Sequence, residues 1–215
     1  MQTLAVIDYG MGNLHSVAKA VEHVASGDTK VVVTADPKTI LDADRVIFPG
    51  VGAMRDCMGE LKRLELDTVV KQCAKEKPLL GICVGMQSML EASDENGGID
   101  CLGLFKGNVR RFKSGMLGED GEPLKIPHMG WNEVLQLTPH PLWQDIKDGS
   151  RFYFVHSYYA ELAGPEHVAA ATNYGGPFTS VLARDNVFAV QFHPEKSQHA
   201  GLRLLENFVT WNGKV

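Results

Sequence analysis

The sequence predicts an α/β fold, a three-layer sandwich around a mostly parallel central sheet with an antiparallel extension. In the first half of the 215 residues, short apolar runs alternate with longer stretches of helical periodicity. These apolar runs are continuous, which indicates strands that helices cover on both faces, as in a parallel sheet. In the second half, strand-forming runs follow one another between Gly, Pro and Asn turns, a pattern typical of antiparallel strands. We expect residues 1–215 to form a single domain.

The first half supplies the parallel part of the sheet and its helices. The predicted strands are residues 3–7, 30–34, 45–48 and 78–82. Pro49 and Gly50 end the third strand, because proline cannot donate a ladder hydrogen bond. The predicted helices are residues 14–24, 54–75 (with one break) and 86–92. This alternation of strands and helices favours an α/β sandwich.

The second half supplies the extension of the same sheet, which we expect to be antiparallel or mixed. The predicted strands are residues 105–112, 131–137, 151–160, 168–172, 180–183 and 187–192. A last helix over residues 199–211 closes the fold. Residues 114–123 are rich in glycine and acidic residues, which predicts a surface loop.

Composition narrows the class of protein. The chain is 44% hydrophobic and 22% charged, with a formal net charge of −5, which argues against nucleic-acid binding because such proteins usually carry a basic face. It shows no basic leader before an apolar stretch and no apolar run long enough to span a membrane. The four cysteines have no paired spacing, so we expect reduced thiols and a cytoplasmic protein that does not act at a membrane.

Cys83 is the predicted nucleophile. It follows the apolar run of residues 78–82, and Gly81 and Gly85 flank it in a Gly-x-Cys-x-Gly pattern. This pattern between a strand and a helix is typical of a nucleophile elbow, whose sharp turn requires glycines beside the reactive residue. The helix N-terminus there favours a thiolate over a thiol.

His193 and Glu195 supply the base and its orienting carboxylate. They follow the strand predicted at residues 187–192, and on an extended segment residues two apart point to the same side. His193 would take the proton of the thiol and later protonate the leaving amine. Glu195 would hold the imidazole in the productive tautomer. With Cys83, these residues predict a cysteine-nucleophile amide hydrolase.

Backbone donors for an oxyanion are expected on both sides of the nucleophile. The glycine loop, residues 49–52, follows a predicted strand and can present the N–H groups of Val51 and Gly52, while Val84 directly follows Cys83. No lysine with Walker-type spacing follows the glycine loop, so phosphate binding is not expected. The eight histidines show no ligand spacing, and we expect no metal and no cofactor.

Several motifs together resemble a known enzyme family. The segment 81–87 with His193 and Glu195 is similar to the class I, or triad, glutamine amidotransferases. Further segments, in the same order along the chain, resemble the glutaminase subunits of imidazole glycerol phosphate synthases; these are residues 8–14, 49–52, 127–132, 152–158 and 193–197. The resemblance runs from about residue 3 to the C-terminus.

The resemblance implies a role in histidine biosynthesis. A glutaminase of this kind hydrolyses L-glutamine through a glutamyl thioester on Cys83. It passes ammonia to a separate (β/α)₈ cyclase subunit, which makes imidazole glycerol phosphate and AICAR. The resemblance implies that glutamine is contacted by Gly50, Gly52 and Gln87. It also places near the subunit interface and the ammonia path Asn13, Trp131, Tyr158 and Lys196.

Three alternatives share the same motifs. A triad glutaminase paralogue would serve a different synthase. A cysteine peptidase or a DJ-1-like protein would have the elbow but no requirement for glutamine. A degenerate amidotransferase would act as a regulatory binding module, although the intact Cys83, His193 and Glu195 argue against that.

Overall fold

A computed structural model describes residues 1–25, 27–118 and 121–215. The strands of the first half are β1 (Gln2–Ile7), β2 (Thr29–Thr34), β3 (Arg45–Gly50), β4 (Leu79–Cys83), β5 (Ala92–Ser93) and β6 (Ile99–Asp100). Those of the second half are β7 (Gly107–Arg111), β8 (His128–Glu133), β9 (Leu135–Gln136), β10 (Arg151–His156), β11 (Tyr158–Leu162), β12 (Val168–Asn173), β13 (Pro177–Arg184) and β14 (Val187–Val190). The helices are α1 (Leu14–Val24), α2 (Pro37–Asp42), α3 (Met54–Arg63), α4 (Leu66–Glu76), α5 (Val84–Gln87) and α6 (Gln198–Thr210).

The core of the fold is a parallel sheet with the strand order β2-β1-β3-β4-β14. Every residue of β3, β4 and β14 is buried, as the continuous apolar runs predict for strands covered on both faces. Two groups of helices provide that cover: α1 packs against α6, and α2 and α3 both pack against α4. The predicted fold class is confirmed.

The antiparallel extension continues from β14 through β13, β11 and β7, with β12 also paired to β13 and β9 paired to β12. One part of the prediction is wrong. Among the described residues, strands β8 and β10 pair only with each other, in a separate two-stranded ribbon, so the runs predicted at 131–137 and 151–160 are each divided between two sheets. Alternating polarity specifies which face of a strand is buried, but it does not specify the neighbouring strand.

The helices differ from the prediction at three places. The break expected within 54–75 lies at Glu65, whose positive φ of 58° separates α3 from α4. The helix expected at 86–92 is wrong, because α5 ends at Gln87 and the carbonyls of residues 88–90 accept hydrogen bonds from residues 102–105 instead. Helix α2 was not predicted, although Asp36 caps it by accepting a bond from the Thr39 N–H at 2.8 Å.

Two further expectations concern the surface of the chain. Within the described ranges, no helix combines the length and the apolar character that crossing a membrane requires. Of the loop expected at 114–123, residues 119 and 120 lie outside the described residues. The rest of that loop contains a bridge between Leu117 and Pro123.

The register of the parallel strands creates one edge where three loops meet. Gly50 at the end of β3 lies opposite Cys83 at the end of β4. Val190 at the end of β14 lies opposite Ile82, so the segment that follows β14 emerges beside Cys83. Functional groups of open α/β sheets collect at this carboxyl edge.

Candidate active site

The chain reverses sharply at Cys83, between β4 and α5. Cys83 has φ 55° and ψ −111°, a conformation that costs energy for a residue with a side chain and is typical of functional positions. Gly85 makes the turn sterically feasible, because a Cβ there would overlap the carbonyl oxygen of Phe48 on β3. The strand, the strained residue and the following helical turn together form the predicted elbow.

His193 and Glu195 form a buried pair beside this turn. Nδ1 of His193 lies 2.9 Å from Oε1 of Glu195, and their side chains are 2% and 1% exposed. Glu195 lies on a 3₁₀ turn (Pro194–Lys196) rather than on the extended segment we expected. That turn is held in place because Ser197 Oγ donates a hydrogen bond to the His193 carbonyl at 2.6 Å, and the His193 N–H donates to the Tyr153 carbonyl at 2.9 Å.

The electrostatics of His193 differ from those of an ordinary histidine. Burial alone would lower the pKa of the imidazole, but its interactions with Cys83 and Glu195 outweigh burial and raise that pKa to about 10. Nε2 of His193 has no hydrogen-bond partner among the described residues. It is therefore the ring nitrogen that can exchange a proton with a group in the site.

The remaining cysteines have a different environment. Burial raises the pKa of Cys57 and of Cys73 to about 11, and that of Cys101 to about 12. All four cysteines are free. Near neutral pH these three thiols are therefore protonated and weakly nucleophilic.

A cavity of about 640 Å³ opens at the carboxyl edge of the parallel strands. Its size suits a small-molecule substrate. It is lined by Gly12, Asn13, Val51, Gly52, Cys83, Val84, Gln87, Glu95, Pro127, Val155, His156, Ser157, Tyr158, His193 and Lys196. Glu195 lies behind His193, and Gly50 is buried beneath the cavity opposite Cys83, so neither belongs to this lining.

The glycine loop forms one wall of the cavity. The Tyr9 hydroxyl donates a hydrogen bond to the Pro49 carbonyl at 2.9 Å, and the Cys57 thiol lies 3.5 Å from the Val51 carbonyl oxygen. Gly52 has φ 97°, which only glycine adopts without strain. The structure thus brings Val51 and Gly52 to the cavity, on the wall next to Val84.

Of the four residues expected near a subunit interface, three line the cavity and one lies outside it. Asn13, Tyr158 and Lys196 line the cavity. Trp131 is outside it, on β8, where it is 40% exposed and packs edge-on against Tyr153.

Sequence reasoning missed two residues that lie at the site, Glu95 and Gln191. Glu95 lines the cavity and accepts a hydrogen bond from the Met54 N–H at 2.8 Å, at the start of α3. Gln191 lies 3.8 Å from the Cys83 sulfur through its Nε2 atom. Its position two residues before His193 was a signal that could have revealed it. Glu95 lies in a turn segment without a motif, and nothing in the sequence marks it.

Across residues 1–25, 27–118 and 121–215 there is no group of three or more His, Cys, Asp or Glu side chains that could hold a metal ion. The polar side chains that line the cavity include a thiol, an imidazole, a carboxylate, an ammonium group and amides. They suit attack of sulfur on a carbonyl carbon.

Comparison with known proteins gives concordant results. The family model of class-I glutamine amidotransferases matches residues 5–211. The chain is 60% identical over 214 residues to the imidazole glycerol phosphate synthase subunit HisH of Pseudomonas putida, and covers 100% of both chains. It is 62% identical over 212 residues to the protein of the same name from Methylococcus capsulatus, covering 98% of this chain and 97% of that one. Among solved structures, PurLQS from Thermotoga maritima has a similar fold, with a TM-score of 0.71 at 17% identity, covering 96% and 97% of the two chains.

Proposed function

This chain belongs to the class-I glutamine amidotransferase family, and on that premise we propose how its site releases ammonia from L-glutamine. The protein is the glutaminase subunit of an imidazole glycerol phosphate synthase, an enzyme of histidine biosynthesis. We infer that residues 1–215 form one glutaminase domain. The observation that carries the site assignment is the strained Cys83 at the cavity, next to His193. The Nδ1 atom of His193 is hydrogen-bonded to the buried carboxylate of Glu195.

Cys83 is the nucleophile and His193 transfers the protons. The thiolate attacks the side-chain amide carbon of glutamine, and the C–N bond breaks as Nε2 of His193 donates a proton to the leaving nitrogen. Ammonia and a glutamyl thioester result. His193 then removes a proton from water, the oxygen attacks the thioester, and glutamate leaves as the C–S bond breaks. Glu195 keeps Nδ1 of the imidazole protonated, which leaves Nε2 for these transfers.

The oxyanion of each tetrahedral intermediate is stabilised by backbone donors. We assign this role to the N–H groups of Val51, Gly52 and Val84, which belong to the two walls of the cavity beside Cys83. Loss of one such donor typically costs about 10²–10³ in turnover. Partner binding would adjust the glycine loop, since Gly50 and Gly52 make a peptide flip inexpensive.

Glutamine binds along the same cavity. The side chain of Gln87 and the backbone of Gly52 line it, and Gly50 lets the chain pass close beneath Cys83. We assign the α-ammonium group of glutamine to Glu95, the carboxylate that lines the cavity and is fixed on the N-terminus of α3.

The second subunit receives the ammonia. We propose a (β/α)₈ cyclase that docks on the exposed apolar side chains of Met129 and Trp131 on β8, beside the cavity mouth. Asn13, Tyr158 and Lys196 would border the path of ammonia between the subunits. The cyclase would convert its formimino-ribulotide substrate into imidazole glycerol phosphate and AICAR. No cofactor is required for the glutaminase step, and a cytoplasmic location stays a prediction.

Glutamate release tests this function. It is measured for the chain alone, with the cyclase subunit, and with the cyclase and its formimino-ribulotide substrate. We expect strong stimulation by the occupied partner and complete loss in Cys83→Ala. Equal activity in all three mixtures would instead favour a triad glutaminase paralogue that serves a different synthase. No activity with Cys83 intact in any mixture would remove the assignment.

A further inference from the structure

The side chain of Gln191 lies against the reacting sulfur, and the mechanism above does not use it. Gln191 directly follows β14 and is fully buried. Its Nε2 atom is 3.8 Å from Sγ of Cys83, a distance within the range of an N–H···S hydrogen bond. A buried amide at this distance stabilises the negative charge of a thiolate more than an amide exposed to solvent would, because the local dielectric constant is lower.

The orientation of this amide follows from its neighbours. The Tyr158 carbonyl can only accept, so the Gln87 atom that lies 2.8 Å from it is the NH₂ group. The same NH₂ group lies 2.9 Å from the amide of Gln191, so the Gln191 atom that faces it is the oxygen. The NH₂ group of Gln191 therefore faces the sulfur of Cys83 and cannot be exchanged with the oxygen.

The Tyr158 carbonyl is itself held by a buried histidine pair. His156 Nδ1 donates to it at 2.8 Å, which leaves His156 Nε2 to accept from His128 Nδ1 at 2.9 Å. His128 Nε2 then accepts from the Asn132 amide at 3.2 Å. Burial lowers the pKa of both rings, which are therefore neutral near pH 7. The donor and acceptor roles are therefore fixed on both sides of the Tyr158 carbonyl, which accepts from His156 and from Gln87.

We propose that Gln191 is a catalytic residue that stabilises the Cys83 thiolate through its amide N–H, with Gln87 and the Tyr158 carbonyl fixing the direction of that amide. The inference deepens the proposed function and rests on it. The sulfur carries negative charge before it attacks glutamine and again when the thioester is hydrolysed. A hydrogen bond to a charged acceptor is stronger than one to a neutral acceptor, so Gln191 favours both of those states.

The experiment measures the rate at which iodoacetamide alkylates Cys83 in the full chain between pH 5 and 9. The variant Gln191→Met keeps the length of the side chain and removes the donor. We expect its half-maximal pH of alkylation to rise by about one unit, with an alkylation rate near pH 6 about tenfold lower. Gln191→Glu places an oxygen toward the sulfur and should raise that pH at least as far. This second variant also decides the case if Gln191→Met does not fold.

Ser180→Ala is the matched control. Ser180 is fully buried, and its carbonyl accepts the backbone N–H of Gln191, so the substitution disturbs the same packing while leaving the amide in place. Its alkylation profile should equal that of the unmodified chain. Unchanged profiles in the folded Gln191 variants, within twofold in rate, would overturn the inference. Because alkylation needs no glutamine, a shifted profile in a chain that releases no glutamate would refute the proposed function alone.

Discussion

His193 Nδ1 lies 2.9 Å from Glu195 Oε1, and only one residue separates the two along the chain. The 3₁₀ turn that starts at Pro194 makes this contact possible, since it brings the carboxylate back toward Nδ1 of the ring. The imidazole is thereby oriented by its own loop. In the Ser-His-Asp triads of serine proteases, by contrast, the histidine and its carboxylate come from distant parts of the chain.

Glu195→Gln should therefore reduce glutaminase turnover with little effect on folding. A glutamine can present its NH₂ group to Nδ1, which favours the wrong tautomer, and we expect kcat to fall by about 10²–10⁴-fold. The pKa of His193 should also decrease, because one of the interactions that raise it is lost. The alkaline limb of the kcat/KM profile, measured with the cyclase complex, should then shift to lower pH. The surface variant Glu166→Gln serves as the control, and a kcat for Glu195→Gln within threefold of normal would contradict the assigned role.

Gly85→Ala should disrupt the elbow. The added Cβ would overlap the Phe48 carbonyl, and relief requires α5 to move away from β3. We expect a loss of about 1–3 kcal/mol in the free energy of unfolding, measured in urea, together with loss of glutaminase activity. Gly59→Ala is the matched comparison, because Gly59 is exposed on α3 and a Cβ there meets nothing within 4 Å. That substitution should stabilise the protein by about 0.5–1 kcal/mol. Equal effects at both positions would show that the elbow does not require close approach at Gly85.

Tyr9→Phe should loosen the glycine loop. The hydroxyl of Tyr9 is buried and bonds the Pro49 carbonyl, so its removal costs about 1–3 kcal/mol if that carbonyl remains without a partner. We expect kcat to fall more than KM changes, because the oxyanion donors that we propose on this loop would act in the transition state. Steady-state kinetics of the cyclase complex provide the measurement. Tyr159→Phe, in a ring that packs on Phe112, should leave kcat unchanged. A rise in KM alone would assign Tyr9 to substrate binding instead.

His140→Asn should change the dependence of stability on pH. Burial lowers the pKa of His140 to about 4 from an ordinary value of 6.5. Between these values the unfolded chain binds one more proton than the folded one, so the free energy of unfolding falls by about 1.4 kcal/mol for each unit of decrease in pH. This contribution is complete above pH 6.5 and is lost as the pH falls toward 4. Asparagine can keep the hydrogen bond to the Leu142 N–H without titrating. The slope of the free energy of unfolding against pH should therefore decrease by about 1.4 kcal/mol per pH unit, the contribution of one proton.

Urea unfolding at several pH values between 4.5 and 6.5 measures that slope. An unchanged slope in His140→Asn would mean that His140 titrates normally in the folded protein.

Much of the fold could be predicted because burial on both faces leaves a local signature. The strands β1, β3 and β4 are continuous apolar runs, and their predicted positions agree with the structure to within one or two residues. The length of helix α5 could not be predicted from such a local signature. Its apolar sequence continues to Leu90, but distant backbone donors from residues 102–105 bond the carbonyls that a longer helix would have used.

The sequence by itself determined the turns that hold Cys83, His193 and Glu195, since the glycines beside the thiol and the proline between the other two are local requirements of those turns. Only the tertiary structure decided which other groups meet the sulfur. Gln191 reaches the sulfur and the glycine loop lines the same cavity because β3, β4 and β14 pair in register and end at one edge. The physical reason is that local turns depend on neighbouring residues, whereas strand register depends on the packing of the whole sheet.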